Sequence, residues 1–423
     1  MKVRAVTLGC KVNTYESEYV LSEFKKKGYE ITDGISDIYI INTCSVTNMS
    51  DSKSRKIINK IIRENNSSII VVMGCMIEAH KDYENDRVNI IIGNKDKSKV
   101  VELVEEYLQT KENKKILYDD FDSNFEDMFI EEMSSHTRAY VKIQDGCENF
   151  CSYCIIPYTR GRQRSKKKET VLKEINTLVQ NGYQEVVLTG IHTGHYGSDI
   201  KTSFPELLRE ICKIDGLKRL RISSIEITEL NDEFLNVLKE NKKIVSHLHI
   251  PLQAGSDSVL KNMNRKYLTD YFYDKIKTIR RIRSDINITT DIIVGFPGES
   301  EENFKETLEF AKKINFSKIH VFPYSRRQGT KADLMPNQIP DNIKKERVKE
   351  LIALSNNLES DYLDSFIGKT VEVLIETNDN NKSIGHTGNY LKVLVNKRVE
   401  SNKIIKVKIN KRNDLTLEGI IGE

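Results

Sequence analysis

Cys147, Cys151 and Cys154 stand in the stretch CENFCSYC as C-x3-C-x2-C. Thiolates this close in sequence converge on one ion or cluster. A structural zinc needs four ligands, and no further Cys or His lies nearby; His192, His195, His247 and His249 would have to reach in from other strands. An iron–sulfur cluster is the other reading, because thiolates are its usual ligands. Three thiolates on a four-iron cluster leave one iron open to a substrate or cofactor. Cys10, Cys44 and Cys75 form a second set, separated by 34 and 31 residues. Only the fold could bring these three together. They read either as buried thiols at strand ends or as a second metal site. Cys212, in helix-like PELLREICKI, reads as a small buried hydrophobe.

An odd count of seven cysteines argues against a disulfide framework. No run of about 18 apolar residues predicts a membrane span. MKVRAVTLGCKVN enters a strand-like run at once, without the apolar segment of a signal peptide. The expected compartment is the cytosol, where thiols stay reduced and serve metals or catalysis. A net charge of +4 is too mild to imply nucleic acid without local clustering. The 423 residues predict two or three domains, since single cores rarely grow past about 250–300 residues.

The first 130 residues alternate strand and helix. VRAVTLGC, DIYIINTC, SIIVVMGC and NIIIG read as strands; NTYESEYVLSEFKKKG, SDSKSRKIINKIIREN and KSKVVELVEEYLQ read as helices. This predicts an open parallel α/β sheet. Cys10, Cys44 and Cys75 each close one of the first three strands, and sites form at that edge of such sheets. The acidic stretch YDDFDSNFEDMFIEE reads as a linker.

Residues 131–365 repeat the βα unit six times, with strands RAYVKIQ, QEVVLTG, KRLRISS, HLHIPLQ, NITTDIIVG and SKIHVFPY. A partial (β/α)6 barrel is expected, with its chemistry on the loops that follow the strands. Those loops are DGCENFCSYC, TGIHTG, SSIE, PLQAGSD, GFPGES and PYSRRQGT, rich in glycine that admits a ligand closely. Residues 366–423 read as a small five-stranded antiparallel barrel. They hold ten Lys/Arg against seven Asp/Glu, with His386 and Tyr390 near Lys392. Such a barrel suits RNA as well as it suits a plain solvated face. RGRQRSKKK, residues 160–168, carries six basic residues in nine. It reads as a solvated face or as a phosphate clamp.

C-x3-C-x2-C after the first strand of a partial barrel resembles the radical S-adenosylmethionine superfamily. That resemblance implies an open iron that chelates S-adenosylmethionine, whose reduction yields a 5′-deoxyadenosyl radical positioned and shielded by the protein. It also implies Tyr153, Thr189, Gly190, Gln253 and Gly295 as contacts to cofactor or clusters, from the segments SYC, TGI, PLQAGS and GFPGE. TLGCKVNTYESE, IINTCSVTNMSDSKSR, VVMGC, QDGCENFCSYCIIPYTRGRQRS and VVLTGIHTGHYG together resemble the methylthiotransferases over essentially the whole length. Membership would imply two 4Fe–4S clusters, on Cys10, Cys44 and Cys75 and on Cys147, Cys151 and Cys154. It would imply two molecules of S-adenosylmethionine per turnover and a closing TRAM-like RNA-binding domain. A donor such as flavodoxin or ferredoxin would supply electrons; the sulfur source stays open. TLGCKVN and NTCSVTN resemble the branch that acts on N6-threonylcarbamoyladenosine at position 37 of tRNA. Gln328 departs from that branch's usual acidic residue or proline. The isopentenyladenosine branch, the branch acting on an aspartate of a ribosomal protein, and a non-catalytic metal-containing RNA-binding protein remain alternatives. The resemblance names no general base. It leaves Arg160, Arg162 and Arg326 as candidates to meet the threonylcarbamoyl carboxylate.

Overall fold

Six parallel strands begin the chain in the computed structural model, which describes residues 1–117, 124–134 and 137–422. From one edge to the other they run Glu30–Ile31, Lys2–Thr7, Ile38–Thr43, Ile69–Gly74, Ile90–Ile92 and Lys114–Ile116. Four of these are legible as sequence runs. The two edge strands are two and three residues long, too short for a period to show. Every residue of Ile38–Thr43 and Ile69–Gly74 is buried, as befits parallel strands covered on both faces. Ile38 and Ile40 join one apolar cluster, and Tyr39 and Ile41 the opposite one, because successive side chains alternate across a sheet. Lys2–Thr7, Ile38–Thr43 and Ile69–Gly74 are immediate neighbours, so the loops after them emerge side by side.

Six further parallel strands form the middle of the chain. Ala139–Lys142, Glu185–Thr189 and Arg219–Ile222 make one sheet; His247–His249, Asn287–Val294 and Lys318–Pro323 make another. A bridge between Leu220 and Ile244 joins the sheets, as does the 3.0 Å bond from the Ile225 N–H to the His249 carbonyl. The result is an open barrel. Its helices, including Lys168–Gln180, Phe204–Cys212, Thr269–Ile282 and Glu301–Ile314, share one apolar core with the strands, and Cys212 is buried in it.

The expected linker divides. Residues 118–123 lie outside the described residues. The stretch after them is pinned: the Tyr15 hydroxyl donates to the Met128 carbonyl at 2.7 Å, and the Ile130 N–H donates to Glu174 at 2.9 Å. Helix Asp341–Asp364 leads to a closed five-stranded barrel in the order Thr370–Asp379, Lys382–Thr387, Lys392–Val395, Thr416–Ile421, Ile404–Asn413. The expectation of a wholly antiparallel barrel is corrected here, because Lys392–Val395 and Thr416–Ile421 pair in parallel. A closed ring with an odd number of strands cannot alternate direction all the way round, so one parallel pair is forced.

Candidate functional site

The C-x3-C-x2-C loop is pinched off at its base. Gln144–Asp145 pairs antiparallel with Arg164–Ser165, and Cys147 N–H bonds the Gly161 carbonyl at 3.1 Å. Gly146, just before Cys147, has φ +74°, and a Cβ there would lie 2.0 Å from the Arg162 carbonyl oxygen. Ser152 ties the loop to the barrel: its N–H donates to Met263 and its carbonyl accepts from Ala332. Arg265 donates to the Cys151 Sγ at 3.1 Å and is held by Glu226 and Tyr267. His192 Nδ1 lies 3.8 Å from the Cys147 Sγ, with Glu229 on its other nitrogen. Burial pushes the Cys154 thiol up to about 12, and the neighbouring thiols add to the rise. Thiols so placed ionise only beside a cation.

The second set is assembled by three loops. Cys10 caps helix Lys11–Lys26, and Cys75 opens Cys75–Ala79. Gly9, at φ +104°, leaves no room for a side chain: a Cβ would stand 2.9 Å from the Cys44 Cβ and 3.1 Å from its Sγ. Burial pushes Cys44 up to about 11, Cys75 and Cys10 add to it, and burial also raises Cys10. Cys10 is nonetheless reached by solvent, because it faces a walled cavity.

Beneath this set lies a buried ion network. Arg160 Nε donates to the Cys75 Sγ at 3.3 Å, and its Nη1 meets Glu16 at 2.9 Å and Asp145 at 3.0 Å. Lys97 and Lys142 also reach Glu16, at 2.5 and 2.9 Å. Lys142 and Arg164 reach Asp145, at 2.7 and 3.5 Å. These four cations and two carboxylates sum to +2. Burial raises the pKa of the adjacent Glu126 carboxyl, against the pull of Lys142 and Lys97. A surplus of buried positive charge touching Cys75 fits an anionic thiolate-bound group. Arg327 anchors the Cys44 loop from the last barrel loop, donating to Ser45 at 2.5 Å and Asn48 at 2.7 Å.

A cavity of about 920 Å³ opens beside Cys10. Its walls are the Cys10–Lys11 turn, the barrel residues Thr189, Gly190, His249 and Asp291, and Tyr390 of the C-terminal barrel. That barrel docks through backbone: Arg219 donates to the Glu372 carbonyl at 2.9 Å, Arg221 to Gly388 at 3.1 Å, and Asn287 to Asn389 at 2.6 Å. Tyr390 is held in a left-handed conformation (φ +67°). Its ring stacks on His386, with the Arg221 and Arg138 guanidinium carbons 4.7 and 5.0 Å from its centroid. Burial raises the Tyr390 pKa, but Arg138, Lys11 and Arg221 outweigh it and lower the value.

Of the cofactor contacts implied by resemblance, Thr189 and Gly190 line this cavity. Tyr153 packs on the barrel core beside Arg265. Gln253 takes a left-handed φ of +68° and bridges to Ile292. Gly295, φ +73°, donates its N–H to Glu299 at 3.0 Å. These last three are not part of the cavity wall. Of the histidines considered for zinc, only His192 touches the C-x3-C-x2-C loop. His247 and His249 face Thr289 instead, and the His195 ring stacks on that of His192. The basic run 160–168 is not a solvated clamp: Arg160, Arg164 and Lys166 are buried, and only Arg162 and Lys167 are exposed. Arg160 is committed to Glu16 and Asp145, and Arg326 to Asp333 at 2.6 Å. Sequence reasoning missed Arg265, Arg327, Lys11 and the Glu16 network. It also passed over one available signal, the glycine preceding Cys10, Cys75 and Cys147 alike.

An open six-stranded parallel barrel with a three-cysteine loop after its first strand defines a radical S-adenosylmethionine protein. Residues 141–311 match the Radical SAM superfamily, and residues 2–93 match the Uncharacterized protein family UPF0004. The threonylcarbamoyladenosine tRNA methylthiotransferase MtaB of Bacillus subtilis is 43% identical, over 96% of this chain and 93% of that protein. Its namesake in Thermotoga maritima is 39% identical over 88% and 86%. The tRNA-2-methylthio-N(6)-dimethylallyladenosine synthase of Acetivibrio thermocellus is 35% identical over 98% and 90%. The radical S-adenosylmethionine methyltransferase TsrM of Kitasatospora setae shares the fold, with TM-score 0.56 at 13% identity over 76% of this chain and 74% of that one. The chain belongs to the methylthiotransferase family of radical S-adenosylmethionine enzymes. That membership implies S-adenosylmethionine and a 4Fe–4S cluster as cofactors. Among the described residues, no helix is long and apolar enough to cross a membrane.

Proposed function

We propose that the chain is a tRNA methylthiotransferase that places a methylthio group on C2 of N6-threonylcarbamoyladenosine at position 37, next to the anticodon. The observation that carries this reading is the meeting of three parts at one cavity. Cys10 of the second cysteine set, the barrel edge at Thr189 and Gly190, and Tyr390 of the C-terminal barrel all line it. Residues 1–130 would hold a second cluster on Cys10, Cys44 and Cys75. Residues 131–365 would hold the radical-generating cluster on Cys147, Cys151 and Cys154. Residues 366–423 would hold RNA. Cys147, Cys151 and Cys154 would hold a 4Fe–4S cluster, which when bound would supply one-electron reduction to S-adenosylmethionine.

The rest is work for this chain's own side chains. Arg265 and Arg160 each donate to one cysteine sulfur of a set and so fix its position. Tyr153, Thr189, Gly190, Gln253 and Gly295 would position S-adenosylmethionine. Lys406 and Lys408 face outward from strand Ile404–Asn413 while Val407 and Ile409 fill the barrel, which gives RNA phosphates a basic edge. Two molecules of S-adenosylmethionine per product, an electron donor such as flavodoxin or ferredoxin, an external sulfur source and a cytosolic setting complete the proposal.

Nucleoside mass spectrometry tests it. The gene is expressed in a bacterium lacking its own enzymes of this family, and the tRNA is digested. A methylthio gain on threonylcarbamoyladenosine, lost in Cys151→Ala and Cys44→Ala, is the expected result. A gain on isopentenyladenosine would keep the reaction and change the substrate. No gain on any adenosine, with iron-loaded protein present, would overturn the tRNA reading in favour of a ribosomal protein.

A further inference from the structure

One ammonium in the cavity has no carboxylate partner within the protein. Lys11 is the first residue of helix Lys11–Lys26, directly after Cys10, and it lines the cavity. Among the described residues its ammonium makes no hydrogen bond or ion pair. Neighbouring cations are occupied. Arg138 pairs with Glu376 at 3.3 Å, Arg221 with Glu185 at 2.7 Å, and Lys318 with Glu359 at 3.0 Å. Lys392 also lacks a carboxylate partner, but it is exposed, and water solvates its charge. Lys11 is half-buried. Tyr390 and Cys10 are the groups that draw on its charge; an ammonium drawn back from water without a carboxylate beside it costs free energy, and a ligand that brings one relieves that cost.

Resting on the threonylcarbamoyladenosine reading above, we propose that Lys11 binds the carboxylate of the substrate's threonyl group and thereby selects that substrate. Ring chemistry supports the placement. C2 and C6 of adenine both flank N1, so the N6 substituent leaves the ring on the side next to the reacting carbon. A cation on the residue after Cys10 stands where that substituent must pass if C2 is presented to the Cys10 set. The arginines considered from sequence do not compete: Arg160 is sealed in the buried network, Arg326 is bound to Asp333, and Arg162 is exposed and not among the cavity's lining residues. Lys11 is thus a specificity-determining contact, with no part in bond making.

The test uses anaerobically reconstituted holoenzyme and two anticodon stem-loop RNAs. One carries threonylcarbamoyladenosine; the other carries the same group with a carboxamide in place of the carboxylate. Methylthiolation is read by mass spectrometry as kcat/KM. A hydrogen bond to a charged group discriminates by roughly 10- to 100-fold, so the intact chain is expected to prefer the acid by that factor. Lys11→Gln is expected to bring the preference close to one, and Lys11→Arg to keep it. Lys392→Gln, which removes a rim charge, is expected to weaken both RNAs alike. A Lys11→Gln enzyme with full iron content and an unchanged preference would overturn the proposal. Should Lys11→Gln lose iron, Lys11→Met against Lys11→Arg carries the same comparison, and a preference kept in both overturns it. An intact chain that modifies neither RNA defeats the substrate reading itself, which is a separate outcome.

Discussion

Cys147, Cys151 and Cys154 lie within one eight-residue loop, whereas Cys10, Cys44 and Cys75 come from three loops at the ends of three neighbouring strands. The first set is positioned locally, by a two-residue ribbon at its base and by Ser152 on the barrel. The second depends on the register of a whole sheet and on side chains from elsewhere, Arg160 and Arg327. One feature is common to both: a single arginine donates to one thiol, Arg265 to Cys151 and Arg160 to Cys75. Arg160 ends the short helix that follows the first set yet bonds the second. The chain that builds one site therefore braces the other.

The largest effect that separates the two sets is chemical. Cys151→Ala is expected to abolish both 5′-deoxyadenosine release and methylthiolation. Cys44→Ala is expected to abolish methylthiolation while 5′-deoxyadenosine release continues. Each variant should retain about half the iron of the intact chain if each set holds one cluster. Equal loss of 5′-deoxyadenosine in both variants would break the division of labour. Next in size is Arg160→Met. It removes the guanidinium that ties Glu16, Asp145, Asn13 and Cys75 together and leaves those hydrogen bonds unmade inside a sealed network, so about 1–3 kcal/mol of stability should be lost. Denaturant unfolding of the anaerobic protein measures this. Arg265→Met breaks a pairing with a single carboxylate, Glu226, and is expected to cost less stability while still impairing 5′-deoxyadenosine release. The reverse order would show that the brace runs the other way.

The two sets also differ in how far the sequence discloses them. C-x3-C-x2-C declares itself because its ligands are close along the chain. Cys10, Cys44 and Cys75 become legible only through the strands they terminate, and those strands are readable because Ile38–Thr43 and Ile69–Gly74 are apolar throughout. The six barrel strands carry charged and polar residues as well, and they show instead through their repetition, each run being followed by a polar or Gly-containing loop. What stayed hidden was carried by long-range partnership. RGRQRSKKK looks like a basic surface, since its neutralising partners Glu16, Asp145 and Glu174 lie up to 144 residues away along the chain. Lys11 carries no mark of its own in the sequence, since only the cavity shows an ammonium that lacks a carboxylate partner. The parallel pair in the last barrel follows from ring closure, which no strand pattern encodes.

Backbone geometry gives a finer comparison. Gly9→Ala is expected to lower iron bound at the second set, because the new Cβ meets Cys44 at 2.9 Å and φ is +104°. Gly28→Ala shares the positive φ, at +84°, but meets nothing within 4 Å. It should cost only the backbone strain of about 1–2 kcal/mol, with iron content unchanged. Iron assays on both variants check this, and equal iron loss would remove the role given to the Gly9–Cys44 contact. The smallest effect belongs to the exposed remnants of the basic run. Arg162→Gln and Lys167→Gln leave the buried network untouched, so stability should stay within about 0.5 kcal/mol. If either touches an RNA phosphate, the slope of log binding constant against log salt should fall by about one. The buried neighbours Arg164 and Lys166 should behave in the opposite way, losing stability with no change in salt slope. Reversal of that pattern would mean that the loop opens to RNA, and that Arg160 does not hold the two cysteine sets together.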